Sequence, residues 1–287
     1  MVAALLGGIR EVTASRLRQG RHAELPKVAR ALTSWAASYP GELPTGLGAP
    51  PSASEGDPAP RGALAGPAAR PGRPLPSGRS ELPREVIEKS QRERIVDATA
   101  AIVAEKGLAA LTIPEIARRA SVSNQTFYAI YPSKNAAFLG AEKVAMHQAL
   151  RVTVAAFEDG GRDWGRAVRA AIAALLEYLA SEPEHAHLTL VDTFAASPEA
   201  LAIREQAMEG FRAYLAPGVE LQGGAAGDPA VVTEAVAGGI WQVLHRYVER
   251  GAIAELPGAA PQLTYFALAP FLGAGAAAEA ALQPLDD

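Results

Sequence analysis

Outside residues 40–83, apolar residues recur at every third or fourth position, which is the spacing of amphipathic helices. The segment Arg92–Lys106 is the clearest example, and Gly107 follows it as a stop signal. A second example, Asp163–Ala180, ends shortly before the helix-breaking Pro183. No sustained strand alternation is present in the sequence, so the predicted fold class is all-α.

Two short helices, Thr112–Ala120 and Ser123–Tyr131, are predicted on either side of a tight turn. Thr112 can cap the first helix, with Glu115 capping back from three residues further on. Ser123 can cap the second helix. Two helices joined by so short a turn form a helix-turn-helix, in which the second helix enters the major groove of DNA.

Polar residues at the start of the second helix carry the DNA-binding prediction. Asn124 and Gln125 have amides that pair well with the edge of adenine, although other base edges are open to them. Thr126 and Tyr128 carry hydroxyls suited to phosphates, and Lys134 adds a cation at the next helix start. The alternative is structural, with Tyr128 as a core aromatic and Lys134 as an ordinary surface charge.

The formal net charge of −4 is unevenly distributed. Residues 1–83 carry +4, residues 84–135 carry +2 and residues 136–287 carry −10. The acidic last part is not expected to face a polyanion, whereas residues 84–135 are compatible with double-stranded DNA.

The chain has no cysteine, which excludes disulfides, and no apolar run approaches the roughly 20 residues of a membrane span. We therefore expect a cytoplasmic, nucleoid-associated protein without a membrane partner.

Residues 40–83 hold eleven of the 22 prolines, mixed with Gly, Ala and Ser and without apolar periodicity. Such a segment cannot bury enough apolar surface to offset its ordering entropy, so it is predicted to be a disordered linker.

An internal repeat flanks this linker. Residues 4–36 align without gaps on residues 235–267, an offset of 231 positions, with 14 of 33 residues identical. Ten identities remain when the four alanine matches are removed, and they include a contiguous Glu-Leu-Pro run. The pattern indicates a duplicated helix pair whose first helix ends near Gly20 or Gly251, because glycine just past a helix end is the usual left-handed cap.

Residues 92–140 resemble the DNA-binding domain of the TetR family of repressors. The matching segments are "LTIPEIA", "ASVSNQTFY" and "YPSK" leading into an apolar helix, and the outline of the resemblance extends from residue 88 to about residue 272. The resemblance implies a three-helix DNA-reading domain, a variable helical ligand domain and a homodimer built on the last two long helices.

The resemblance also implies a set of DNA-binding residues. Contacts to the DNA backbone are expected from Thr112, Ser123, Thr126, Tyr128 and Lys134. Positions near bases are expected for Asn124, Gln125 and Ala129, and Tyr131 completes the set of DNA-binding candidates.

Two residues depart from the family pattern. Ser121 stands where glycine is common, which makes a left-handed turn less comfortable. Ile130 stands where histidine is frequent, which puts one phosphate contact in question. Val122 and Phe127 are expected to pack in the core of the helix-turn-helix.

The ligand domain offers only weak candidates for effector contacts, because each of them is more readily explained as an ordinary core or interface residue. They are Trp164, His187, Asp192 and Trp241. His185 and His187 are two positions apart and do not face each other on a helix, so no metal site is predicted. No Ser-His-Asp spacing, glycine-rich phosphate loop or acid pair stands out, so neither an enzyme nor a cofactor is predicted.

The domain organisation predicted from these patterns is a helix pair at 1–39, the linker at 40–84, a helix-turn-helix domain at 85–137, a helical ligand-binding and dimerisation domain at 138–273, and a tail at 274–287. The predicted function is a ligand-responsive transcriptional regulator, a repressor that binds a palindromic operator. The alternative is a helical protein–protein interaction module that never meets DNA.

The predicted partners are DNA, a small-molecule effector and a second copy bound through residues 229–272. Two hypotheses concern residues 1–39, which are expected to modulate that homodimer. In the first, these residues are the remnant of a tandem protein. In the second, which is compatible with the first, they dock on residues 229–272 of the same chain as a stand-in partner. A tail of weak helicity is the alternative to both.

Overall fold

The structure, a computed structural model, describes residues 1–47, 83–192, 197–221 and 228–285. Regular structure in these ranges is helical, as predicted, and they contain no strand. The helices are α1 (Val2–Arg18), α2 (Leu25–Ala37), α3 (Arg84–Lys106), α4 (Ile113–Arg119), α5 (Asn124–Ile130), α6 (Lys134–Asp159), α7 (Trp164–Ser181), α8 (Pro183–His187), α9 (Pro198–Ala213), α10 (Ala216–Leu221), α11 (Pro229–Glu249), α12 (Ala260–Leu272) and α13 (Ala274–Leu282). Shorter 3₁₀ segments lie at His22–Glu24, Leu108–Ala110 and Ile253–Ala259, and a π-helical turn at Leu188–Asp192.

Several boundaries differ from the sequence prediction. Helix α3 begins eight residues before the predicted Arg92, because its polar first turns are supported by pairs such as Arg84 Nε to Glu88 Oε1 at 2.7 Å. The predicted tail contains α13. Most of the predicted linker, residues 48–82, lies outside the described residues, whereas Leu47 near its start is only 1% exposed.

The chain divides into two compact units. The first unit comprises residues 1–56, 149–181 and 206–287, and the second comprises residues 57–148 and 182–205.

In the first unit, α12 packs against α7, α11 and α13, and α1 lies along α11. We call α1 and α2 the N-terminal pair, and α11 and α12 the C-terminal pair. Both pairs turn on a glycine in the left-handed region, Gly20 with φ 69° and Gly251 with φ 70°. Both copies therefore turn at equivalent positions, and their first helices end where the sequence predicted. The second helix starts at Leu25 in the N-terminal pair, whereas a longer 3₁₀ segment delays its start to Ala260 in the C-terminal pair.

The second unit contains a buried core formed by α3, α4, α5 and the start of α6. Phe127 is completely buried in this core, as predicted, and Val122 packs partly buried against it. The predicted inner face of α3 is also buried, namely Ile95, Ala98, Thr99, Ile102 and Val103. This packing holds the two short helices of the helix-turn-helix, which are too short to be stable alone.

Within the described ranges, none of the helices combines the length and the apolarity that crossing a lipid bilayer requires.

Candidate nucleic-acid interface

The start of α4 differs from the capping box that the sequence predicted. Thr112 has the extended backbone of an N-cap residue, with φ −133° and ψ 147°, but its side chain makes no capping hydrogen bond. Glu115 does not cap back either, because its carboxylate pairs with the ammonium of Lys106 at the end of α3. The Thr112 side chain is exposed, which leaves its hydroxyl available to a partner in solution.

The turn between α4 and α5 is held by main-chain contacts and by one arginine. The Val122 amide donates to the Ala117 carbonyl at 2.9 Å, and Ser121 adopts φ 52°, the left-handed conformation that the sequence predicted to be costly for serine. Arg94 of α3 donates from Nη1 to the carbonyls of Ala120 at 2.8 Å and Ser121 at 3.1 Å. Sequence reasoning missed Arg94, because nothing in the pattern of α3 shows which element its polar side faces.

Helix α5 presents its polar first turn to solvent. The Ser123 hydroxyl accepts the Thr126 amide at 3.0 Å, which is the predicted N-cap. Asn124 and Gln125 are exposed, and Tyr128 is 57% exposed on the same short helix. Phe127 points the opposite way into the core, so α5 has one anchored face and one open face.

The remaining exposed position on α5 is Ala129, which has only a methyl group to offer. Its small side chain lets a partner approach the helix backbone closely at the end of the open face. Together with Ser123, Asn124, Gln125, Thr126 and Tyr128, it places six of the nine predicted DNA-binding residues on one helix and its cap.

The other three predicted residues have different surroundings. Tyr131 is only 8% exposed; its ring leaves no room for a side chain at Gly140, and the Arg92 guanidinium lies 5.4 Å from its centroid. Lys134 donates from Nζ to the Leu111 carbonyl at 2.9 Å, which brings the start of α6 next to Thr112. Lys134 and Thr112 therefore lie at neighbouring helix starts, whereas Tyr131 belongs to the packing behind α5.

Helix α6 starts on a capped turn beside these residues. The Ser133 hydroxyl accepts the Ala136 amide at 3.1 Å, as the sequence predicted for an N-cap serine. This cap fixes the first turn of α6, from which Lys134 projects.

An ion pair fastens the end of α4 to the end of α3. The Arg119 guanidinium donates to both carboxylate oxygens of Glu105, at 2.7 Å and 2.5 Å. The hydrogen bond from Arg119 lowers the pKa of the Glu105 carboxyl below its ordinary value. Arg118 is exposed at the same helix end, so only one of these two arginines is engaged in this pair.

The four candidate effector residues are divided between the two units, and three of them have described side chains that are buried or packed. In the first unit, Trp164 donates from Nε1 to the Tyr214 carbonyl at 2.8 Å and stacks edge-on against Phe271, and Trp241 is buried. In the second unit, His187 is buried, and Asp192 ends the π-helical turn with its side chain outside the described residues.

A cavity of about 530 Å³ lies in the first unit, and none of the four candidate effector residues lines it. Its walls carry charges of both signs, from Arg16, Arg21, Arg212, Glu209, Glu220 and Glu234. Across the described ranges, no group of three or more His, Asp or Glu side chains is placed to hold a metal ion.

A comparison with models of known protein families matches the segment that contains this site. Residues 95–140, which run from α3 into α6, match the family model of bacterial regulatory proteins of the tetR family. No curated protein sequence matches the chain.

Two solved structures share the fold. The fatty acid degradation regulator FadR from Bacillus halodurans has 16% identity and a TM-score of 0.55, with 62% of this chain and 94% of that one covered. The transcriptional regulator FadR from Bacillus subtilis, solved with stearoyl-CoA, has 17% identity and a TM-score of 0.54, with 62% and 97% covered.

Proposed function

We propose that this chain is a transcriptional repressor of the TetR family, whose family model its residues 95–140 match, and that its α5 helix reads a palindromic operator. As a DNA-binding regulator it would act in the cytoplasm, at the nucleoid. The observation that carries the proposal is the two-faced α5, anchored by Phe127 and open at Asn124, Gln125 and Tyr128.

The open face of α5 divides into base-reading and phosphate-binding residues. Asn124 and Gln125, at the N-terminal end of the helix, present amides to base edges, and each well-placed pair discriminates against a wrong base by about 1–3 kcal/mol. Ala129 lies close to the bases without a polar contact of its own.

Phosphate contacts would come from hydroxyls and one cation around the rim. Thr112 and Tyr128 are exposed, and Ser123 and Thr126 lie at the start of α5, where amides and the helix dipole also favour an anion. Lys134 would add its charge from the start of α6. Tyr131 would contribute mainly by supporting α5 from behind, because its ring is buried.

A palindromic operator requires two reading heads related by a two-fold axis, with half-sites about one helical turn apart. In the proposed DNA-bound form, two chains pair through residues 229–272, and each contributes one α5. Repression follows if the operator overlaps the start of a regulated gene.

The test is salt-dependent binding of the full chain to DNA selected from a random library. The proposal predicts enrichment of an inverted repeat, with an affinity that falls steeply between 50 and 200 mM salt because bound phosphates release counterions. Tyr128→Phe and Thr112→Val each remove one exposed hydroxyl and should weaken binding about tenfold on every sequence. Gln283→Ala, which removes an exposed amide in the first unit, is the matched control and should bind as the wild type does.

A helical protein-binding module would behave differently in this assay. It would enrich no sequence from the library, and any residual binding would be equal for all DNAs. That result would overturn the repressor assignment and favour a protein partner for the open face of α5.

The effector in this proposal is a small molecule that binds the helical bundle and lowers the affinity for DNA by favouring another arrangement of the chain. Because one structural relative was solved with stearoyl-CoA, that molecule is the first probe. Stearoyl-CoA should release the operator at concentrations at which coenzyme A alone does not. Equal release by both, or none, would exclude acyl-CoA as the effector class.

A further inference from the structure

Helices α1 and α11 approach each other closely at two places, and the repeat relates one place to the other. A Cβ added to Gly7 would lie 2.3 Å from the Gln242 Cβ, and a Cβ added to Gly238 would lie 2.4 Å from the Glu11 Cβ. Adding the repeat offset of 231 to Gly7 and subtracting it from Gln242 converts the first contact into the second. The two helices therefore meet in a reciprocal way, at glycines that allow their backbones to approach closely.

A second pair of close approaches obeys the same rule. A Cβ on Gly8 would lie 2.4 Å from the Ala235 carbonyl oxygen, and a Cβ on Gly239 would lie 2.6 Å from the Ala4 carbonyl oxygen. These positions also differ by 231. Trp35, one of the aromatic residues that seal this contact, lies with its ring centroid 6.0 Å from that of its own repeat equivalent, Phe266.

Reciprocal contacts in which residue i meets j while the equivalent of j meets the equivalent of i define a two-fold interface between identical subunits. Here both halves belong to one chain. The N-terminal pair thus occupies, on the C-terminal pair, the place that a second copy's C-terminal pair would take in a two-fold dimer.

The polar contacts across this interface do not obey the two-fold rule. Arg16 Nη1 lies 2.8 Å from Glu234 Oε2, and both side chains are 7% exposed. The repeat equivalent of Arg16 is Tyr247, so a second copy would bring a phenol, not a guanidinium, to Glu234. A further cation, Arg212, has its Nη1 4.0 Å from Glu234 Oε1, beyond hydrogen-bond distance.

A second ion pair has the same asymmetry. Lys27 Nζ on α2 lies 3.1 Å from Asp228 Oδ2 at the N-cap of α11. The repeat equivalent of Lys27 is Gly258, which has no side chain to offer Asp228. Both ion pairs therefore form with the N-terminal pair and are lost with a second C-terminal pair, and leaving a buried Glu234 without its arginine is unfavourable.

We propose that the N-terminal pair is a built-in substitute for a second copy, which occupies the dimer face at 229–272 and keeps another chain off it. Docking within one chain does not weaken on dilution, whereas association of two chains does. The homodimer proposed above for the operator forms only when the N-terminal pair leaves this face. That last consequence rests on the proposed function, and the occupancy of the face does not.

A cross-linking experiment on the full chain tests the occupancy without DNA. Because the chain has no cysteine, Lys27→Cys with Asp228→Cys introduces the only two thiols, at positions whose native side chains touch. A short bismaleimide should join them within one chain of 29.8 kDa, giving a denatured product that carries one linker, has no free thiol and migrates faster than the open chain, with a yield that is unchanged on 100-fold dilution. Lys27→Cys alone is the control: it should take up one linker without closing a loop and keep the mobility of the open chain.

Two results would overturn the proposal. A product of two chains would show that the N-terminal pair docks on a neighbouring molecule. Absence of any joined product would show that the pair does not sit on the C-terminal pair.

Charge reversal tests whether the docked pair excludes a second copy. Arg16→Glu places two carboxylates together and should release the pair, so that sedimentation shifts the particle towards twice the chain mass. Arg16→Glu combined with Glu234→Arg restores opposite charges and should restore the wild-type mass. The same Arg16→Glu substitution in the Lys27→Cys/Asp228→Cys chain should abolish the cross-link, and a persisting cross-link would show that the Arg16–Glu234 pair does not hold the docked helices. If the cross-link is lost and the mass of Arg16→Glu stays that of the wild type, the open face does not recruit a second chain. Either result overturns the proposal.

Discussion

The substitution Gly7→Ala tests whether the N-terminal pair docks on the C-terminal pair. The sign of the resulting change in the free energy of unfolding shows whether α1 packs against α11. The added methyl carbon would lie 2.3 Å from the Gln242 Cβ, 2.8 Å from its Cγ and 3.2 Å from the Gly238 carbonyl oxygen. The Gln242 Cβ is fixed to the α11 backbone and cannot swing aside, so α1 and α11 must separate by about 1 Å to restore ordinary contact.

Two effects of opposite sign compete in this variant. Alanine stabilises a helix interior by about 1 kcal/mol relative to glycine. Overpacking a tight contact costs about 1–3 kcal/mol. Since the crowded atoms lie on the backbone side of the partner, we expect the second effect to prevail and the free energy of unfolding to fall by up to about 2 kcal/mol.

The assay is urea unfolding combined with amide exchange of α1. Gly275→Ala is the matched control, because Gly275 lies in α13 with no atom within 4 Å of an added Cβ. The control should be neutral or gain up to about 1 kcal/mol. Gly238→Ala, the repeat equivalent, should lose stability as Gly7→Ala does. If Gly7→Ala stabilises the chain as much as Gly275→Ala, then α1 does not pack on α11 and the reasoning is refuted.

Three further predictions concern the helix-turn-helix. Ser123→Ala removes the cap of the Thr126 amide and should destabilise the second unit by about 0.5–2 kcal/mol, measured by thermal unfolding, with Ser123→Gly losing less. Arg94→Met keeps the stem of the side chain but removes its two hydrogen bonds to the turn; it should weaken DNA binding while α3 stays helical by circular dichroism, and an unchanged affinity would contradict a role in holding the turn. Because Arg119 lowers the pKa of Glu105, that carboxylate stabilises the fold above its ordinary pKa, and the contribution is lost as the pH falls through the lowered value; Glu105→Gln should therefore cost up to about 1 kcal/mol at pH 7 and progressively less as the pH falls below the ordinary pKa of a glutamate, and a constant difference would refute the ion pair as its source.

The helix-turn-helix could be predicted closely because its signals are local. The signals are the spacing of apolar residues, the Ser123 cap of the Thr126 amide and the buried Phe127. All of them involve residues within a few positions of each other in the sequence. The capping box at Thr112 was wrong for the opposite reason: Lys106, on the preceding helix, competes for Glu115, and only the three-dimensional path of α3 brings them together. The link from Arg94 to the turn depends on the same path.

The repeat shows how far sequence similarity alone can reach. The offset of 231 positions predicted two helix pairs with matching turns, and the same offset reappears between contacting glycines. The ion pairs Arg16–Glu234 and Lys27–Asp228 could not be predicted from the repeat, because the equivalents of the two cations are the uncharged Tyr247 and Gly258. The candidate effector residues were the weakest prediction, since buried tryptophan and histidine carry no pattern that separates a ligand contact from core packing.

The most direct measurement of the central claim, that α5 reads DNA, is a genome-wide map of the positions bound by the full chain and by Asn124→Ala/Gln125→Ala in the same cells. Both side chains are exposed, so the variant should fold and reach the same abundance as the wild type. We predict that sharp sites centred on an inverted repeat disappear in the variant, because its base-reading amides are gone. An unchanged set of sites would contradict the claim.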